Sequence, residues 1–76
     1  MNVEDLKNEI KDILEEENEL SDSDILEDYE YWDSLTVLSI LALLDSKYKI
    51  TLTSDDLDNC STMGELLHLA MSYHNK

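Results

Sequence analysis

Residues 31–48, YWDSLTVLSILALLDSKY, form an almost uncharged segment in a chain that is otherwise rich in acids. Every residue from Ser34 to Leu44 is apolar, serine or threonine, which predicts a helix that contributes much of the core. At 100° per residue, one side of this helix faces the core: Val37, Ile40, Leu41, Leu44 and Tyr48. The opposite side also carries almost no charge: Leu35, Thr36, Ser39, Ala42, Leu43 and Ser46. This second side predicts either a helix covered on both sides or an exposed docking surface centred on Leu35 and Leu43.

Polar caps predict where the helices begin. Asn2 is a candidate N-cap for an amphipathic first helix from Val3 to about Glu17, and Asp33 or Ser34 caps the apolar second helix. The segment TSDD at residues 53–56 predicts a short helix that ends near Asp58. Thr62 and Glu65 have the spacing of a capping box, which predicts a last helix to about Tyr73.

Residues 19–33 have no helical period, which predicts a long loop with one short turn near residues 24–27. Its apolar residues should hold the loop on the core: Leu20, Ile25, Leu26, Tyr29 and Trp32. The chain has no Pro and one Gly, which disfavours tight-turn β architecture. We therefore expect one all-α domain over residues 1–76, a small helical bundle of three principal helices and one short helix.

The charge is strongly negative and uneven. Residues 1–33 hold fourteen acids and two Lys, a net charge of −12, whereas residues 34–76 hold five acids and three Lys, a net charge of −2. A chain without Arg cannot clamp phosphates in the bidentate way, so we expect no nucleic-acid ligand and basic protein partners instead.

The sequence favours a cytoplasmic protein that does not insert into a membrane. The single Cys60 allows no internal disulfide, and the N-terminus carries acids where a secretory signal would be basic. The longest apolar run covers residues 40–44, far below the roughly 20 residues that span a bilayer. We expect the protein to act as a monomer.

The residues do not supply the machinery of an enzyme. Ser34 as a nucleophile would need a base within hydrogen-bond reach, and the two imidazoles, His68 and His74, both belong to the last helix. We therefore predict no catalytic residues. A serine at an exposed helix start can still function if another enzyme supplies both the base and the electrophile.

No metal site is predicted either. Cys60, His68 and His74 lack the paired short spacings of a zinc site. Acids at residues 22, 24, 28, 30 and 33 fall on ligand positions of a calcium-binding EF-hand frame. However, Leu26 and Glu27 occupy the positions that require an oxygen ligand and a glycine.

The order of these segments resembles the acyl carrier proteins. The residues that carry the resemblance are Asp33-Ser34-Leu35 at the start of an apolar second helix, within a small acidic chain. The likeness also includes the acidic first helix, the long loop, the segment YKITLT after helix two, the short third helix and the start STMGEL of the fourth.

The resemblance implies a carrier and not an enzyme. A phosphopantetheinyl transferase would attach 4′-phosphopantetheine to Ser34, with Asp33 assisting and Leu35 contacting the partner, and the arm would carry acyl or aminoacyl groups as thioesters. Partners would be an acyl-activating ligase or acyltransferase and downstream synthases. The implied docking face comprises Leu35, Thr36, Leu38, Ser39, Ala42, Leu43, Asp45 and Ser46.

The sequence departs from the carriers of fatty-acid synthesis on this face. Those carriers usually have acids where Thr36 and Ser39 stand, whereas Asp45 is the single charged residue of the face here. They also usually have a small residue before the aspartate, where Trp32 stands. These differences favour a specialised freestanding carrier in a lipid, polyketide-like or cell-envelope pathway, and they leave a D-alanyl type of aminoacyl carrier open. The rival from another class is an acidic helical adaptor or inhibitor in which Ser34 is only an N-cap; a divalent-cation sensor is third.

Overall fold

The computed structural model describes residues 2–74, and its helices contact one another around one core. Helix α1 spans Val3–Leu14, α2 spans Ser34–Tyr48, α3 spans Ser54–Asp58 and α4 spans Met63–His74. A 3₁₀ turn, Leu26–Asp28, lies in the long loop between α1 and α2. The predicted all-α bundle of three principal helices and one short helix is confirmed. None of these helices has the length and apolar character needed to cross a membrane.

The core is aliphatic and draws on every helix. α2 packs against both α1 and α3, and α1 also packs against α4. Burial of these side chains is the main source of stability in a domain of this size. The side chains with less than 2% exposure are Leu6, Ile10, Leu14, Leu26, Ile40, Leu44, Ile50, Leu57, Met63 and Leu66.

The predicted end of α1 was wrong by three residues. The helix stops at Leu14 because Glu15 adopts a left-handed conformation, with φ of 55°. The N–H of Glu15 then donates to the carbonyl of Asp12, and the N–H of Glu16 donates to that of Lys11. This arrangement satisfies carbonyls that a helix end would otherwise leave without partners.

The long loop is attached to the start of α4 by main-chain hydrogen bonds. The N–H of Met63 donates to the carbonyl of Asp24 at 3.0 Å, and the N–H of Gly64 donates to that of Asp22 at 2.8 Å. Ile25 and Thr62 form an isolated antiparallel bridge. The loop therefore accepts the first two N–H groups of α4, and the Thr62 hydroxyl accepts that of Glu65.

Side chains of the loop reach the core much as predicted, with one exception. Leu20, Leu26 and Tyr29 are buried, and the Tyr29 hydroxyl donates to the Asp24 carboxylate at 2.9 Å. Ile25 was predicted to contact the core but is 44% exposed. Ile25 is the extended residue that precedes the 3₁₀ turn, and the turn buries Leu26 instead.

Candidate functional site

Ser34 is the first residue of α2, and its side chain is exposed, as predicted. The N-cap is Asp33, whose carboxylate accepts a hydrogen bond from the N–H of Thr36 at 2.8 Å. The Ser34 hydroxyl forms no hydrogen bond within residues 2–74. Asp33 thus does the capping, and the serine hydroxyl is left available for reaction.

The start of α2 is also suited to an anionic group. The main-chain N–H groups of Ser34 and Leu35 have no acceptor among the described residues, as is usual for the first turn of a helix. A phosphate linked to the Ser34 oxygen would lie near these donors and the positive end of the helix dipole.

Ser34 lies on a surface cleft of about 550 Å³ formed by three separate parts of the fold. The loop contributes Glu27 and Trp32, the start of α2 contributes four residues, and α3 contributes Ser54 and Asp58. The α2 start supplies Asp33, Ser34, Val37 and Leu38. Aromatic and aliphatic groups therefore lie beside carboxylates around one reactive hydroxyl.

Within residues 2–74, no imidazole or thiol lines the cleft beside Ser34. His68 and Cys60 line a different cleft, of about 440 Å³, between α3 and α4, and His74 is exposed at the end of α4. Burial and the carboxylates of Glu65 and Asp56 raise the pKa of the Cys60 thiol, which makes it a weak nucleophile at neutral pH. The described residues that line the cleft beside Ser34 therefore include neither a histidine base nor a thiol.

The acids of the loop do not gather into a metal site. Across residues 2–74, no group of three or more His, Cys, Asp or Glu side chains is placed to hold a metal ion. In the stretch that partly matches an EF-hand frame, the Asp24 carboxylate instead accepts hydrogen bonds from the Ser21 N–H and the Tyr29 hydroxyl. These local contacts serve the loop itself.

A comparison with sequence models of protein families gives a match over most of the chain. The sequence model of a family described as the phosphopantetheine attachment site matches residues 4–70. The chain belongs to this family. Phosphopantetheine-binding domains are carriers, not catalysts, and hold 4′-phosphopantetheine covalently on a serine. No curated protein and no solved structure gives a significant match to the chain.

The fold meets the requirements of this prosthetic group. The match covers most of α1, all of α2 and α3, and α4 as far as Ala70. Within that span, Ser34 combines an exposed hydroxyl, a helix N-terminus and an adjoining cleft. These three features fit a covalently attached arm that extends from the domain surface.

Two residues of the predicted docking face on α2 are less exposed than the others. Thr36 is only 9% exposed, and Leu43 is half-buried against the core. These residues are seven apart and share one side of α2, and that side is covered because α2 has two helical neighbours, α1 and α3. Leu35 and Leu38, at 74% and 59% exposure, are open to a partner. The other predicted docking residues are also exposed: Ser39, Ala42, Asp45 and Ser46.

Sequence reasoning missed part of the cleft. Trp32 stands two residues before Ser34, so its closeness could have been inferred from position alone. Glu27, Ser54 and Asp58 had no such signal, because packing of the loop and α3 against α2 brings them beside Ser34.

Proposed function

We propose that this protein is an acyl carrier whose 4′-phosphopantetheine arm is attached to Ser34. The observation that carries the proposal is the exposed hydroxyl of Ser34 at the start of α2, which forms no hydrogen bond within residues 2–74. Residues 1–76 act as a single carrier domain, and the terminal thiol of the arm holds acyl groups as thioesters. Family membership favours this carrier over the acidic adaptor.

Attachment is performed by a phosphopantetheinyl transferase. The Ser34 oxygen attacks the phosphorus that bears the pantetheine in coenzyme A, and a new oxygen–phosphorus bond forms. The bond from that phosphorus to adenosine 3′,5′-bisphosphate breaks, and the serine proton passes to a base of the transferase. Asp33 accepts the hydrogen bond of the Thr36 N–H and so holds the main chain of the first turn of α2, which presents Ser34.

Partners bind the exposed part of α2 next to the arm. We define the docking face as Leu35, Leu38, Ser39, Ala42, Asp45 and Ser46. Apolar contacts of Leu35 and Leu38 provide recognition, while the net charge of −12 in residues 1–33 attracts basic partners over a longer range. The ligase or acyltransferase that loads the arm and the synthases that unload it belong to a specialised lipid, polyketide-like or cell-envelope pathway.

Mass spectrometry tests the attachment directly. The protein is incubated with coenzyme A and a broad-specificity transferase, and we expect a mass gain of one phosphopantetheine, located on Ser34 by fragmentation. Ser34→Ala should abolish the gain. Ser54→Ala is the matched control, because Ser54 lines the same cleft. No gain in the wild type, or a gain that persists in Ser34→Ala, would falsify the assignment.

A further inference from the structure

Trp32 gives the cleft beside Ser34 an aromatic wall whose position is fixed by the core. The indole is half-buried and packs against the buried core residues. Its main-chain N–H donates to the carbonyl of Tyr29 at 3.2 Å, directly after the 3₁₀ turn. These contacts hold a large, flat apolar surface on the cleft, two residues before the serine. The ring is therefore a firm surface that a group tethered at Ser34 can contact.

Polar groups without partners lie beside this apolar wall. The Trp32 indole N–H donates to no acceptor within residues 2–74, and since no buried side-chain nitrogen there lacks a partner, this N–H lies at the surface. The Ser54 hydroxyl, which α3 contributes, is exposed and likewise forms no hydrogen bond within the described residues. Val37 and Leu38 continue the apolar wall along α2. The cleft thus offers hydrocarbon contact together with a donor and a hydroxyl.

The pantetheine arm has the chemistry that matches this cleft. It alternates hydrocarbon with amides, and its branched dimethyl carbon lies a few bonds beyond the phosphate, close to the serine oxygen. The arm is uncharged beyond the phosphate, so the cleft carboxylates of Glu27, Asp33 and Asp58 do not repel it. The cleft volume of about 550 Å³ falls within the range of pockets that hold small organic ligands.

We propose that the pantetheine arm rests in this cleft when no partner is bound, and that Trp32 is the residue that holds it there. The indole supplies apolar contact to the dimethyl carbon, and the indole N–H and the Ser54 hydroxyl are available to the amides. Attachment at Ser34 keeps the arm at a high local concentration over the cleft, so a weak contact is sufficient. The inference rests on the proposed attachment and adds a contact residue for the arm.

Nuclear magnetic resonance tests the contact from the side of the arm. The protein is converted to its phosphopantetheine form with coenzyme A whose pantetheine methyl groups carry ¹³C. An aromatic ring moves the resonance of a methyl group above its face upfield, so the wild-type methyl resonances should lie upfield of those of free phosphopantetheine. Trp32→Leu should return them to the free position. Tyr31→Leu is the matched control and should keep the shift, because Tyr31 is the neighbouring exposed aromatic residue but lines a different cleft.

Quenching of Trp32 emission by acrylamide tests the same contact from the side of the protein, with no substitution. Trp32 is the single tryptophan, so the emission reports on this cleft. Covering one methylene-sized apolar group favours a contact by about fourfold, so the arm should cover the indole for most of the time and lower the quenching constant to about half or less. The comparison is made on the wild-type protein before and after attachment.

Four results would each overturn the inference. They are methyl resonances that coincide with those of the free arm, a shift that persists in Trp32→Leu, a shift that Tyr31→Leu also abolishes, and a quenching constant that attachment leaves unchanged. If Trp32→Leu does not fold, the quenching comparison still decides, because it uses the wild type. All four leave attachment at Ser34 standing, since mass spectrometry first shows the arm in place. Failure to attach the arm would overturn the attachment and this inference together.

Discussion

Gly64 determines how closely the long loop lies on α4, and its replacement by Ala tests that contact. A Cβ atom at Gly64 would lie 2.9 Å from the carbonyl oxygen of Asp22 and 3.1 Å from its Cβ. The same carbonyl accepts the Gly64 N–H at 2.8 Å. Since the obstructing atoms belong to the main chain and to Cβ, no rotation of a flexible side chain can make room.

Two effects of Gly64→Ala oppose each other. Ala is a better helix residue than Gly by about 1 kcal/mol, which favours the variant. Overpacking costs about 1–3 kcal/mol, and moving the loop away to relieve it sacrifices a hydrogen bond of about 1 kcal/mol. We expect a net loss of about 1–2 kcal/mol, which lowers the melting temperature by roughly 5–15 °C in a domain of this length.

The assay is urea unfolding followed by circular dichroism and by the fluorescence of Trp32, which lies in the loop. Ser72→Ala is the control for helix propensity, because Ser72 is exposed in α4 and Ala should stabilise it by a few tenths of a kcal/mol. If Gly64→Ala is as stable as the wild type or more stable, the close contact with Asp22 is not limiting and the reasoning is wrong.

Two further predictions concern pH and salt. Burial and the hydrogen bond to Asp24 raise the pKa of Tyr29 above its ordinary value, so the folded state keeps a proton that the unfolded state loses above about pH 10. Stability to urea should be unaffected by Tyr29 below that pH and decline above it; Tyr29→Phe should weaken the decline, and an unchanged pH profile would contradict this. The net charge of −12 in residues 1–33 should make the melting temperature rise between low and moderate salt, and a flat response would show that self-repulsion is not significant.

Helix starts were predictable because their signals are local. Asn2 accepts the Glu4 N–H, Thr53 accepts the Asp56 N–H, and Thr62 accepts the Glu65 N–H, each within three residues of the cap. The end of α1 was not predictable in the same way. A left-handed C-cap is usually read from Gly or Asn, and here Glu15 fills the position.

The candidate site likewise contains residues that local sequence predicts and residues that only the packing of the fold brings together. Ser34 and its Asp33 cap follow from neighbouring residues, so the sequence was enough to single them out. Burial of Thr36 depends on the helices that pack beside α2. Glu27 and Asp58 line the cleft because of the positions that the loop and α3 take in the fold. A helical wheel gives the direction of a side chain but not the number of neighbours that the helix has.

The attachment of the loop to α4 has a consequence for how such a protein can diversify. Its anchoring bonds join main-chain atoms of residues 22, 24 and 26 to those of residues 61, 63 and 64, so they do not depend on which side chains the loop displays. The exposed residues Ser23, Glu27 and Asp28 can therefore be substituted without loss of these main-chain hydrogen bonds. Substitutions in this segment can therefore change the charge and shape of the surface near Ser34 while the main-chain contacts with α4 persist.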